Sequence, residues 1–95
     1  MDFEWDENKQ LANLEKHGID FDLSRTIRER EVIDPVAERA RGREIRWTAL
    51  GVVGKDEIII AVVYTYRNGR RRIISARRAR RYERQDYQSQ FGRGH

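Results

Sequence analysis

The chain has no cysteine, a single proline and two histidines in 95 residues. The missing thiols exclude a disulfide framework and a thiolate-held metal, which suits a reducing compartment. The histidines, His17 and His95, stand far apart, and no group of acids has the spacing of a ligand set. No metal site and no cofactor are therefore expected. Long hydrophobic runs are missing as well. The longest, Ile58 to Tyr64, falls far short of the roughly 20 residues that a membrane helix needs. The opening Asp2-Phe3-Glu4-Trp5 carries no basic segment of a signal peptide, so a cytoplasmic location is expected. No apolar stripe accompanies the basic residues at helical spacing, which argues against a membrane partner.

What the chain does have is arginine, and it is segregated. Between Arg67 and Arg84 nine arginines stand against one acid, Glu83, a net +8 in eighteen residues. The whole chain carries only +4, so the remainder sums to −4. Segregation of this kind is the footprint of a polyanion partner. With hydrophobic and charged fractions of 38% each, residues 1–95 are expected to form one small domain with one modest core.

Phe3-Glu4-Trp5 alternates and reads as a short strand with Phe3 and Trp5 inward. Asp6 is placed to cap a helix running to about His17, with Leu11 and Leu14 on its inner face and Gly18 as its stop. Asp20 caps a second helix that turns Phe21, Leu23 and Ile27 inward. The mixed-charge run Arg28-Glu29-Arg30-Glu31 reads as its solvated end, and Pro35 stops it by Asp34. Val36 to Gly42 reads as irregular. Glu44 to Val53 then alternates, with Ile45, Trp47 and Ala49 on one face and Arg46, Thr48 and Leu50 on the other. After a turn at Gly54-Lys55-Asp56, Glu57 to Tyr66 is apolar on both faces and reads as a central strand. Asn68-Gly69 is a type I′ hairpin signal leading into a third strand, Arg70 to Ser75. Ser75 is expected to cap a last helix, with residues 88–95 a frayed tail. The expected fold class is α+β. A small antiparallel sheet combines the short N-terminal strand with the three-strand meander, and two N-terminal helices and a C-terminal helix pack on one face.

Several phrases in order along nearly the whole chain carry a resemblance. They are Phe3-Glu4-Trp5-Asp6, Asn13-Leu14 with Lys16-His17-Gly18-Ile19 and Phe21, and Glu44 with Arg46-Trp47 and Gly51. The most specific is Val63-Tyr64-Thr65 followed by Arg72-Ile73-Ile74-Ser75-Ala76-Arg77-Arg78-Ala79, Glu83 and Tyr87. Together they resemble the BrnT family of toxins. The resemblance implies a RelE-like fold and a bacterial type II toxin–antitoxin ribonuclease that cuts RNA and inhibits translation and growth. It also implies a cognate DNA-binding, BrnA-like antitoxin and a heterotetrameric complex.

Cleavage of RNA without metal lets the 2′-hydroxyl attack the adjacent phosphate. It needs a proton acceptor, cations for the phosphorane charge and a proton donor for the 5′ oxygen. Arg77 stands at the expected strand-to-helix junction, where a side chain and helix amides can meet one phosphate. The resemblance singles out Arg46. Glu83 is either a general base or an ion-paired partner on its own helix. These three form the candidate catalytic set. Arg70, Arg71, Arg72, Arg78, Arg80 and Arg81 form the candidate RNA-binding funnel, with Tyr64 as a base-stacking surface or, alternatively, a core residue. Tyr87, Trp5 and Trp47 are assigned to the core and His17 to the end of its helix. Two other functions stay open: a non-catalytic nucleic-acid-binding module, such as a degenerate toxin, and an interaction protein for an acidic partner. Arginines serve binding and transition-state stabilisation alike, so the residues by themselves do not rank cleavage above binding.

Overall fold

The computed structural model describes residues 3–24, 27, 33–41 and 44–95, with 24, 33–41 and 44 as backbone alone. The architecture follows from the apolar strand β4 (Ile58–Arg67), which has buried residues on both faces and lies at the centre of a sheet. The sheet order is β1 (Phe3–Glu4), β5 (Arg70–Arg78), β4, β3 (Glu44–Val53) and β2 (Ile33–Arg41). The meander is antiparallel, as expected. Its turn has Asn68 at φ 51° and Gly69 at φ 75°, the positive pair that a type I′ hairpin demands.

Alternation along β4 divides the core in two. Ile60, Val62 and Tyr64 pack with Ala49, Val53, Ile73, Ala76, Ile19 and Phe21 on one face, joined by half-buried Phe3, Trp5 and Trp47. Ile59 and Ala61 pack with Leu50, Val52, Ala79 and Tyr87 on the other. Helices α1 (Glu7–His17) and α2 (Phe21–Ser24) belong to the first face, and α3 (Arg81–Phe91) covers the second. The helices therefore do not share one face, because both faces of β4 are too apolar to leave in water.

Four other expectations are corrected. First, β1 runs parallel to β5, since α1 and α2 carry the chain away before the meander begins, so the sheet is mixed. Second, residues 33–41 form an edge strand despite a composition poor in β-formers. Pairing with β3 and bulges at Ile33/Val36 and Glu38/Arg41 override propensity, and an edge tolerates Pro35. Third, α1 turns Leu11 (62% exposed) and Leu14 (41%) outward and Asn13 inward. The Asn13 amide donates to the carbonyls of Ile19 and Ala76, at 3.0 and 2.8 Å, and accepts from the Ala76 amide. Beyond Arg72 β5 has lost its two-residue neighbour β1, and Asn13 satisfies that edge instead. Fourth, Ser75 caps nothing. Strand β5 continues to Arg78 because Ser75 to Arg78 pair with Val63 to Ile60.

The caps at Asp6 and Gly18 form as expected, with Asp6 accepting from the amides of Asn8 and Lys9. Leu23 is exposed and Ile27 is half-buried, while the run 28–31 lies outside the described residues. The tail is stitched down rather than frayed. The His95 amide donates to the Glu57 carbonyl at 2.8 Å and its carbonyl accepts from Ile59 at 2.9 Å, while Arg93 pairs with Glu57. Gly94 is pressed so closely on Ile59 that an added Cβ would lie 2.6 Å from it. No helix among the described residues is long and apolar enough to cross a membrane.

Candidate nucleic-acid interface

Helix α3 covers only part of its face of the sheet. Leu50, Val52, Ile59 and Ala61 lie beneath it, and further along the strands the same face stays polar. The register gives its rows. Val63 pairs with Thr48 and Ser75, Thr65 pairs with Arg72, and Arg67 pairs with Arg70. Arg46 stands one step beyond the Trp47–Tyr64 pair and so flanks Thr65 from the other side. The result is a shelf whose centre, Val63 and Thr65, is buried. Around it Arg46, Thr48, Arg72 and Ser75 are half-buried, and Arg67 and Arg70 are exposed.

A bulge in β5 makes this set possible. Val63 pairs with Ser75 but Tyr64 pairs with Ile73, so Ile74 is an extra residue. On an unbroken strand Arg72 and Arg77, five apart, would face opposite ways. The inserted residue shifts the phase, and both arginines reach the α3 face.

At the inner end of the shelf Arg77 and Glu83 grip each other. The guanidinium donates to both carboxylate oxygens, at 2.7 and 3.1 Å, with side chains only 17% and 8% exposed. One of those oxygens also accepts from the Arg80 amide at 2.7 Å, closing the first turn of α3. Burial pushes the Glu83 carboxyl up. The hydrogen bonds from Arg77 and the Arg80 amide, with the charges of both arginines, outweigh it and hold the group below its ordinary value. Glu83 is thus an engaged carboxylate, ill suited to take a proton. Arg46 lies four residues along β4 from the Arg77 row, about 13 Å at strand rise, so the two are not convergent. The Nε of Arg46 is buried without a partner among the described residues. Arg72 lies 3.6 Å from Glu4.

The remaining arginines divide between the faces. Arg71 turns to the α1 side, its guanidinium carbon 4.3 Å from the centre of the Tyr64 ring and near Phe3 and Tyr66. Tyr64 is buried beneath it and offers no ring face to a base. Burial pushes its hydroxyl up to about 12, against the pull of the Arg71 charge. Arg78 is exposed on that same side, opposite Ile60. Arg80 and Arg81 are exposed at the start of α3. His17 is exposed in the last turn of α1, and Tyr87 is fully buried. Thr48, Thr65 and Ser75 are shelf residues that sequence reasoning missed. Alternation from Arg46 and Arg67 points to the two threonines, whereas Ser75 required knowledge of the bulge. Among the described residues no three His, Cys, Asp or Glu side chains gather closely enough to hold a metal.

A family model described as the ribonuclease toxin BrnT of type II toxin–antitoxin systems matches residues 5–83. The chain belongs to the BrnT family. The matched span runs from Trp5 to Glu83 and so includes every shelf residue from Arg46 to Arg77. No curated protein sequence matches the chain. Membership makes the protein a ribonuclease toxin of a toxin–antitoxin pair, with RNA as substrate and an antitoxin as partner.

Proposed function

We propose that the protein is a metal-independent endoribonuclease of the cytoplasm that inhibits translation and growth by cutting RNA on this shelf. The kinship with RelE toxins belongs to the same reading. The 2′-hydroxyl gives its proton to water as its oxygen bonds to the neighbouring phosphorus, the bond from phosphorus to the 5′-oxygen breaks, and that oxygen takes a proton from water, leaving a 2′,3′-cyclic phosphate and a 5′-hydroxyl. Arg46 and Arg72 approach one phosphate from either side of Thr65 and stabilise the charge of the phosphorane. Arg77 supports the inner end, and Glu83 is a positioning residue that holds it. The observation that carries this reading is the placement of Arg46 and Arg72 on either side of Thr65, on the face of the sheet that also holds Thr48, Ser75 and Arg77. A cognate BrnA-like, DNA-binding antitoxin neutralises the protein in a heterotetramer, laying carboxylates on the same arginines.

The mutual engagement of Arg77 and Glu83 favours a second reading, a nucleic-acid-binding module without cleavage. One experiment separates the two. Purified protein is incubated with single-stranded RNA or DNA in EDTA, beside Arg46→Ala and Arg72→Ala. The first reading expects RNA cleavage that both variants reduce at least 100-fold, with DNA left intact. Binding without cleavage would establish the second reading, and cleavage abolished by EDTA would sink the metal-free mechanism. Arg77→Ala is a poor control, because it also strips Glu83 of its partner.

A further inference from the structure

The shelf extends past the row that holds the reacting phosphate. At its outer end Arg67 and Arg70 stand directly opposite each other across the β4–β5 hairpin, both exposed, flanking the Asn68-Gly69 turn. Like charges facing one another across an antiparallel pair weaken it, and the turn draws its geometry from Asn68 and Gly69 rather than from the arginines. Arg70 makes no hydrogen bond or ion pair with the described residues. The hairpin geometry therefore does not depend on Arg70.

The position of the Arg67–Arg70 pair relative to the next pair is informative. Arg67 and Arg70 share a face with Arg46 and Arg72 and lie two residues further along β4, about 7 Å at strand rise. That is roughly one nucleotide of an extended single strand. Two pairs of arginines rooted at this spacing can reach two successive phosphates of one chain. The strand rows of the shelf carry no aromatic side chain: Tyr64 is buried, and Tyr66 is on the Arg71 side. What the shelf offers a polynucleotide is its backbone.

Resting on the ribonuclease reading, we propose that Arg67 and Arg70 form a second phosphate subsite, one nucleotide from the Arg46–Arg72 pair. Single-stranded RNA then lies extended along β4 with its bases turned away from the sheet. Recognition is by the spacing of phosphates, and base identity contributes little.

The test compares 2′-O-methyl oligonucleotides with one internal phosphate and with two, in EDTA, by fluorescence anisotropy on the full chain. The second phosphate is expected to tighten binding about tenfold and to steepen the salt dependence by about 0.7, the value for one contact on a single strand. Arg67→Ala/Arg70→Ala should lose that gain, and Arg67→Lys/Arg70→Lys should recover most of it. The lysine variant and a thermal melt guard against a folding defect. If the double alanine variant keeps the gain, or the wild type shows none, the subsite is wrong. A gain in binding beside uncut unmodified RNA would sink the ribonuclease reading and leave the subsite standing.

Discussion

Arg71 and Arg72 are consecutive residues of β5, yet they sit in different chemical settings. Arg71 lies over the Tyr64 ring, near Phe3 and Tyr66, and donates to the Tyr66 hydroxyl at 3.2 Å. Arg72 lies on the opposite face among hydroxyls and other arginines, with Glu4 at its side. On the first face the guanidinium is part of the core lid, and its charge is met by π faces. On the second it is one of several cations around a floor that carries hydroxyls, with the Glu4 carboxylate 3.6 Å away. A dense run of arginines on a strand is therefore two populations, and alternation decides which member serves which purpose. The β5 bulge then adjusts the division by bringing Arg77 to the side of Arg72.

The largest effect should come from breaking the pair at the shelf's inner end. Glu83→Ala takes away the carboxylate that grips the largely buried Arg77 guanidinium and removes the acceptor of the Arg80 amide. Losing one partner of a buried pair costs about 3–5 kcal/mol. In a domain of this size each kcal/mol moves the Tm by roughly 4–8 °C, so a fall of more than about 10 °C is expected. Because the two side chains act as a unit, Arg77→Ala with Glu83→Ala should melt no lower than Glu83→Ala alone. Additive losses in thermal unfolding would show that the two do not depend on each other.

Much of the fold was legible because it rests on local rules. The double-sided apolar run of β4, the Asn68-Gly69 turn and the Asp6 cap each declare themselves within a few residues. The parts that were not legible depend on partners distant in sequence. Residues 33–41 become a strand only by pairing with β3, and α1 turns its leucines outward because Asn13 bonds to Ala76, sixty-three residues away. At the candidate site, the charge run marks a region, while register decides which of its members share a face. Arg71 and Tyr64 belong to the aromatic side, Glu83 is spent on Arg77, and Thr48, Thr65 and Ser75 join through register and a bulge.

The comparison of neighbours can be sharpened with single alanine variants. Arg71→Ala removes a half-buried cation over aromatic rings and should lower stability by about 1–2 kcal/mol, measured by urea unfolding. Its RNA affinity and salt slope should stay close to wild type. Arg72→Ala should do the reverse, moving the Tm little while weakening RNA binding and lowering the salt slope by about 0.7. If both variants weaken RNA binding equally, the two faces do not divide their labour as described.

The smallest effect is absent at neutral pH and appears at the extremes, at a different extreme for each face. Glu83, held below its ordinary value, adds stability that is present above the unfolded carboxylate value of about 4.3 and is lost as pH falls through the folded one. Tyr64 is raised to about 12, so its contribution is complete below about 10 and is lost as pH rises from there towards 12. Urea unfolding across the pH range should therefore show two separable limbs. Glu83→Gln, already weaker at neutral pH, should lose less than wild type as pH falls below about 4.3, while Tyr64→Phe should flatten the alkaline loss and leave the acid one in place. The shelf side would then fail first in acid and the aromatic side first in alkali. An acid limb that survives in Glu83→Gln would mean that other carboxylates govern it, and the Arg77–Glu83 pair would no longer mark what distinguishes the two faces.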